Sequence, residues 1–211
     1  MLLFGVMACT ILIRVLEDKS IKNMNASFLS LYNDRLIPAT DLFHLAENIY
    51  AKRYILGTLI EQPELAPQNL VLRLKKHNTN IDGLLNKYEK TYLTPQEKRN
   101  LNELKAKLNH HQIIEEEIIN KNKVQPSSSK LLFETLGLNS FNAISQELAE
   151  LTQIQSKVGE ELLKDTKYLV SGSNIYSSIQ FALAIIIGIL IVAIMFASNV
   201  VKTANQKFNL N

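Results

Sequence analysis

Apolar residues recur at intervals of three and four along four stretches of the chain, and two further stretches are apolar almost without interruption. The longer of these two, Ile179 to Val201, carries no charge, and its strongly polar members, Gln180, Ser198 and Asn199, sit at its ends. A helix rises about 1.5 Å per residue, so a stretch of this length covers the roughly 30 Å hydrocarbon layer of a bilayer. The pattern predicts a transmembrane helix there. The other stretch, Met1 to Leu16, is broken only by Arg14. It predicts a first membrane helix that begins at Met1, with Arg14 snorkelling to the interface. No basic region precedes its apolar core and no small-residue cleavage site follows it, which argues against a secretory signal.

Between the two spans the periodic positions define four helices. Ile21, Met24, Phe28, Leu31, Arg35, Pro38, Leu42, Leu45, Ile49, Lys52, Leu56 and Leu59 form a heptad-type seam in phase with the first apolar segment. One helix is therefore expected to run from the membrane to about Gln62, where Pro63 and Pro67 end it. Pro38 has no N–H for the carbonyl of Asp34 and predicts a kink. A second helix is expected from near Pro67 to Tyr92 or Leu93, with Leu70, Leu74, His77, Ile81, Leu84 and Tyr88 on its seam. Thr94-Pro95-Gln96-Glu97 reads as a capping box with proline at the first helical position. It opens a third helix with Leu101, Leu104, Leu108, Ile114 and Ile118 inward and His111 and Glu115 on or beside that stripe, fading at Asn120 to Lys123. Gln125 to Ser129 reads as a loop, Lys130 to Leu136 as a short helix before Gly137, and Ser140 as the cap of a fourth helix. That helix keeps its spacing through Phe141, Ile144, Leu148, Leu151, Gln155, Val158, Leu162, Asp165, Leu169, Gly172 and Tyr176 up to the second span.

Lengths turn these elements into an architecture. Outside the membrane the first helix is roughly 45 residues, or about 70 Å, against about 40 Å for the second and third. The short pair is expected to pack on the distal halves of the long pair, leaving a two-helix stalk near the bilayer with Arg35 and Pro38 at the junction. The fold class is all-α: an antiparallel up-down-up-down four-helix bundle whose long first and fourth helices continue into two transmembrane helices. The expected divisions are residues 1–16 for the first span, 17–177 for the external bundle, 178–201 for the second span and 202–211 for a short cytoplasmic tail. Lys202 and Lys207 follow the second span, so by the positive-inside tendency both termini face the cytoplasm.

Composition narrows the function classes. With 23 Lys and Arg against 20 Asp and Glu, net +3, there is no nucleic-acid footprint. Cys9 is the single cysteine, so no intrachain disulfide forms. There is no Gly-rich phosphate loop, no nucleophile and base at a recognisable motif, and no Glu-x-x-His element for a di-iron bundle. Adjacent His110 and His111 point about 100° apart on a helix and do not share one metal. The reading is no enzyme, no cofactor and no metal.

This organisation resembles the four-helix-bundle sensory domain of methyl-accepting chemotaxis receptors. Leu31-Tyr32-Asn33-Asp34-Arg35-Leu36-Ile37-Pro38 is similar to the family's tyrosine, arginine and proline pattern in the first helix. Ile81-Asp82-Gly83-Leu84-Leu85-Asn86-Lys87-Tyr88, followed by Leu93-Thr94-Pro95-Gln96-Glu97, is similar to its second-to-third helix junction. The resemblance implies a bacterial inner-membrane protein with the bundle in the periplasm or outside, homodimerisation through the first helix, and a small ligand such as an amino or organic acid. The chain departs from the family after the second span, where receptors carry a linker and a long cytoplasmic signalling hairpin and this sequence has Lys202 to Asn211. Output is then expected to pass through a separate signalling protein or receptor subunit.

Four basic residues are candidate ligand contacts. Arg35 on the inward seam offers bidentate recognition of a carboxylate, or else pairs with an acid across the bundle. Lys52 and Arg53 in the distal half of the first helix, and Arg73 at a comparable height on the second, are the others. The functional expectation is a chemoreceptor-like sensory protein whose bundle binds a small solute and relays a shift across the membrane. The alternative is a structural or adaptor membrane protein whose bundle docks a protein partner and binds no ligand.

Overall fold

A computed structural model describes residues 2–66 and 68–207. Pro67, placed by the pattern at the start of the second helix, lies outside the described residues, as do Met1 and 208–211. So do the side chains of Leu169, Ser198, Asn199, Lys202 and Lys207, on which part of the seam and the orientation argument rest. The elements are α1 (Leu2–Leu31), a π-turn (Tyr32–Leu36), α2 (Ile37–Glu61), a 3₁₀ turn (Pro63–Leu65), α3 (Leu70–Tyr88), α4 (Pro95–Val124), α5 (Pro126–Leu132), a second π-turn (Phe133–Gly137) and α6 (Leu138–Lys207). No strand occurs among the described residues.

The chain divides into two compact units, Leu29–Leu162 and the pair of segments Met1–Phe28 with Leu163–Asn211. The first is the bundle. Leu42, Leu45 and Ile49 of α2, Ile81, Leu85 and Tyr88 of α3, Leu101, Leu104 and Leu108 of α4, and Phe141, Ile144, Leu148 and Leu151 of α6 form one buried cluster. A second cluster joins Ile55, Leu56, Leu70, Leu74, Ile114, Ile118 and Phe133. Every inward seam named above supplies members, because burying each such side chain contributes about 1.5–3 kcal/mol; Ile55, Leu85 and Phe133 join them from beside the seams, and Leu85 rather than Leu84 takes the buried place on α3. Pairs between elements fix the register: Asp41 with Lys87, Asn48 with His77 and Asn80, Glu89 with Lys105, and Lys107 with Glu147.

Pro38 directly follows a π-turn, in which the Ile37 N–H donates to Tyr32 O, five residues back, one step longer than an α-helical bond. Three local expectations are corrected. The second helix stops at Tyr88 rather than Tyr92, since Lys90 and Thr91 turn back onto Lys87 and Tyr88, and side chains of Asp34 and Arg35 hold the backbone of Tyr92. The stretch predicted as a loop is the first turn of α5, with Gln125 alone leaving the helical region (φ −146, ψ 82) and Ser129 Oγ donating to Ile118 O at 2.8 Å. Ser140 caps nothing. The backbone continues through the second π-turn into α6, and Ser140 Oγ donates to Gly137 O at 3.0 Å within the helix.

The capping box at Thr94 is formed: Thr94 Oγ1 accepts from the Glu97 N–H at 3.2 Å, and Glu97 Oε2 accepts from the Thr94 N–H at 2.6 Å. Thr94→Ala is expected to lower stability by about 1 kcal/mol, readable as a shift of the urea midpoint of the micelle-solubilised chain.

In the second unit, Arg14 pairs along its own helix with Glu17 (3.7 Å) and Asp18 (3.5 Å), and Gln180 Nε2 donates to Glu17 Oε2 at 3.3 Å. Among the described residues one helical run, Pro126–Phe196, is long and apolar enough to cross a membrane, and its most apolar window is 0% buried. Phe181, Ile185, Ile189 and Ile194 stand exposed in it.

Candidate functional site

Two polar layers cross the bundle where the spacing of α2 puts Arg35 and Lys52 on the inward seam. The first is built on the π-turn. Arg35 is 5% exposed and is the first buried residue of its unit. Its Nη1 donates to Glu97 Oε1 at 2.7 Å and to Gln155 Oε1 at 3.3 Å, and its Nη2 donates to Tyr92 O at 3.3 Å. Glu97 is fully buried and is also the capping glutamate of α4, so one carboxylate closes a helix end and neutralises a guanidinium. Gln155 in turn donates to the Tyr88 hydroxyl at 2.8 Å. Burial pushes that hydroxyl up to about 12, against the opposing pull of the Gln155 bond. One arginine thereby joins the π-turn to α4, α6 and the α3–α4 turn.

The second layer runs from α2 through α4 to α6. Lys52 Nζ lies 2.8 Å from Glu115 Oε2, both side chains buried. His111, one turn before Glu115, is also buried, and its Nδ1 is 2.6 Å from Ser140 Oγ. The Ser140 hydroxyl in turn donates to Gly137 O. The other ring nitrogen of His111, Nε2, lies 3.3 Å from Glu115 Oε1. On its other side Lys52 reaches the wall of a cleft of about 300 Å³, where α3 and α4 contribute Asn78, Asp82, Asn86, Asn109 and Gln112.

His77 meets Asn48 Oδ1 at 2.9 Å beside this layer, the boundary position its seam implies. Burial first, then the charges of Arg73, Lys52 and Lys76, hold its imidazolium below the ordinary histidine range, with Glu115 opposing. A histidine with a lowered folded pKa is protonated more readily in the unfolded chain. Its contribution is present above about pH 6.5 and is lost as the pH falls through the folded value. The urea midpoint is expected to drop between pH 7 and pH 5, and His77→Gln to flatten that drop.

The four basic residues singled out in the sequence do not converge. Arg35 and Lys52 each hold a buried carboxylate, Arg53 lies over the Phe141 ring with Cζ 4.6 Å from its centroid, and Arg73 stands exposed one turn before His77. Sequence reasoning missed the carboxylate and amide partners. Glu97 was visible only as a cap and Gln155 only as a seam position, although a polar residue on an apolar stripe is itself the signal for a cross-bundle partner. Asp41 and Glu147, buried opposite Lys87 and Lys107, were not visible at all.

A family described as "four helix bundle sensory module for signal transduction" matches residues 1–170. The chain belongs to this family of sensory modules. No curated protein and no solved structure matches it. The match covers both polar layers of the module and every helix of its bundle unit, so the role of the bundle is chemoreceptor-like sensing, and modules of this kind are not typically enzymes.

Proposed function

We propose that this module is the input half of a membrane-anchored sensor, in which a small polar solute seated between α3 and α4 acts on the Lys52 layer. The observation that carries the reading is a buried ammonium that borders the cleft on one side and is tied, through Glu115, His111 and Ser140, to α6 on the other. A solute that alters the hold of Lys52 on Glu115 changes what Glu115 offers to His111, and so biases α6, the helix whose sequence continues into the apolar span. The lining charges are largely cancelled, Lys52 by Glu115 and Lys105 by Glu89, which favours a hydrogen-bonding solute over a strongly charged one.

The bundle is read as antiparallel, up-down-up-down. Support comes from the pairs that descend on one helix as they ascend on the next: 41 with 87 and 48 with 77 for α2 and α3, 107 with 147 and 111 with 140 for α4 and α6. Residues 1–16 and 178–201 are read as two spans of the bacterial cytoplasmic membrane, with the intervening region outside and a separate signalling protein or receptor subunit receiving the output. A second copy is read onto Leu29, Leu36 and Phe43, which recur every seven residues and stand 53%, 57% and 62% exposed.

The test is a thermal-shift screen of the full chain in lipid nanodiscs against amino acids, polyols and small organic acids. A ligand at a hundred times its Kd adds about 2.7 kcal/mol to the stability of the bound form, and Lys52→Met is expected to abolish the shift. A panel in which nothing stabilises the chain counts against solute sensing and in favour of the adaptor role.

A further inference from the structure

We propose that a second cleft, between α2 and the segment that opens α6, binds a small aromatic carboxylate. This cleft encloses about 440 Å³ and is distinct from the one beside Lys52. Tyr50 and Tyr54 of α2 wall it on one side and Phe133 of the second π-turn on the other. The two tyrosines are 53% and 76% exposed beside an open groove. Gly57 lies between the walls, and a Cβ there would already touch Phe133 Cζ at 3.7 Å. Glycine therefore leaves room where any other residue would begin to fill the floor.

The charge in the cleft is what narrows the ligand. Phe141 holds Arg53 from below, with its ring 4.6 Å from the guanidinium carbon, while Tyr50 meets the same ring edge-on at 5.0 Å and 81°. An aromatic ring takes up none of the guanidinium's conventional hydrogen-bond acceptor needs, so this contact leaves Arg53 without a carboxylate. Among the described residues no carboxylate forms an ion pair with Arg53, in contrast to Arg35 and Lys52. A planar fork of donors beside two exposed tyrosines matches a carboxylate attached to a flat ring: the carboxylate takes the fork bidentately and the ring lies against the tyrosines. Glu61 lies two turns further along α2, about 12 Å from Arg53 by helical rise, and lines the other end of the cleft. It repels a second negative charge, so the class is a monocarboxylate of one or two fused rings.

The inference does not rest on the reading of the α3–α4 cleft, since it uses other residues on the other side of α2. It is tested with the full chain in lipid nanodiscs by saturation-transfer NMR and calorimetry, using benzoate and 2-naphthoate as probes and empty nanodiscs as the blank. Cyclohexanecarboxylate removes the flat face and benzyl alcohol removes the charge. Both aromatic carboxylates are expected to bind, and both controls to bind at least tenfold more weakly. Arg53→Gln is expected to weaken benzoate about ten- to hundredfold, the range for a lost charge-assisted hydrogen bond. Tyr54→Ala, at a position too exposed to disturb the core, is expected to weaken 2-naphthoate more than benzoate. Absence of binding by both aromatic carboxylates at millimolar concentration overturns the proposal. So does binding that is indifferent to Arg53→Gln and Tyr54→Ala.

Discussion

Replacing Glu97 by alanine is expected to destabilise the bundle by about 3–5 kcal/mol, the largest effect of any single polar substitution in this chain. The reason is the number of groups it leaves unanswered. Arg35 loses its 2.7 Å carboxylate partner while remaining 5% exposed, and the guanidinium already has one N–H, at Nε, without an acceptor. At the same time the Thr94 N–H loses the side-chain acceptor that closes the start of α4. Glu97→Gln separates these roles, because a glutamine carbonyl still caps Thr94 but meets Arg35 without charge; its expected cost is smaller, about half. The paired replacement Arg35→Met with Glu97→Leu removes both charges together and is expected to recover most of the loss, apart from the cap. Urea denaturation in micelles of the parent, Arg35→Met, Glu97→Leu and the double replacement measures the coupling. Additive effects of the single and double replacements would mean that the pair does not interact as described.

Lys52→Ala is the second large expectation, again about 3–5 kcal/mol. Here the stranded group is Glu115, a buried carboxylate whose second oxygen lies 3.3 Å from His111 Nε2. Removing Lys52 leaves that carboxylate without its lysine partner, and Lys52→Ala with Glu115→Ala is expected to recover part of the loss. Urea midpoints of the parent, the two single replacements and the double measure the coupling, and additive effects would rule it out.

What the sequence made legible was whatever repeats. The seams of α2, α3, α4 and α6 follow from three-and-four spacing, and the buried clusters use those positions because burial area dominates the choice of inward face. The capping box at Thr94 was legible for a different reason: its whole mechanism lies within four consecutive residues. Events that depend on a distant neighbour were not. The end of α3 at Tyr88 is set by Asp34 and Arg35, more than fifty residues earlier, and the helical start of α5 depends on Ser129 reaching Ile118 O. The ladder of polar partners was half legible. Arg35 and Lys52 announced themselves as charges on an apolar stripe, but which acids would meet them depends on the axial offset of two helices, and a single sequence does not encode that offset in any local pattern.

The π-turns carry an implication for how such a chain can change over generations. Each holds one supernumerary residue, at 32–36 and at 133–137, bracketed by regular α-helix. Loss of a single codon within Tyr32–Leu36 would restore an uninterrupted α-helix, turning the preceding residues by about 100° relative to those that follow. An indel that would ruin an ordinary helix is here a ready-made edit, one that re-aims the residues before it while leaving the leucines from Leu42 onward where they are.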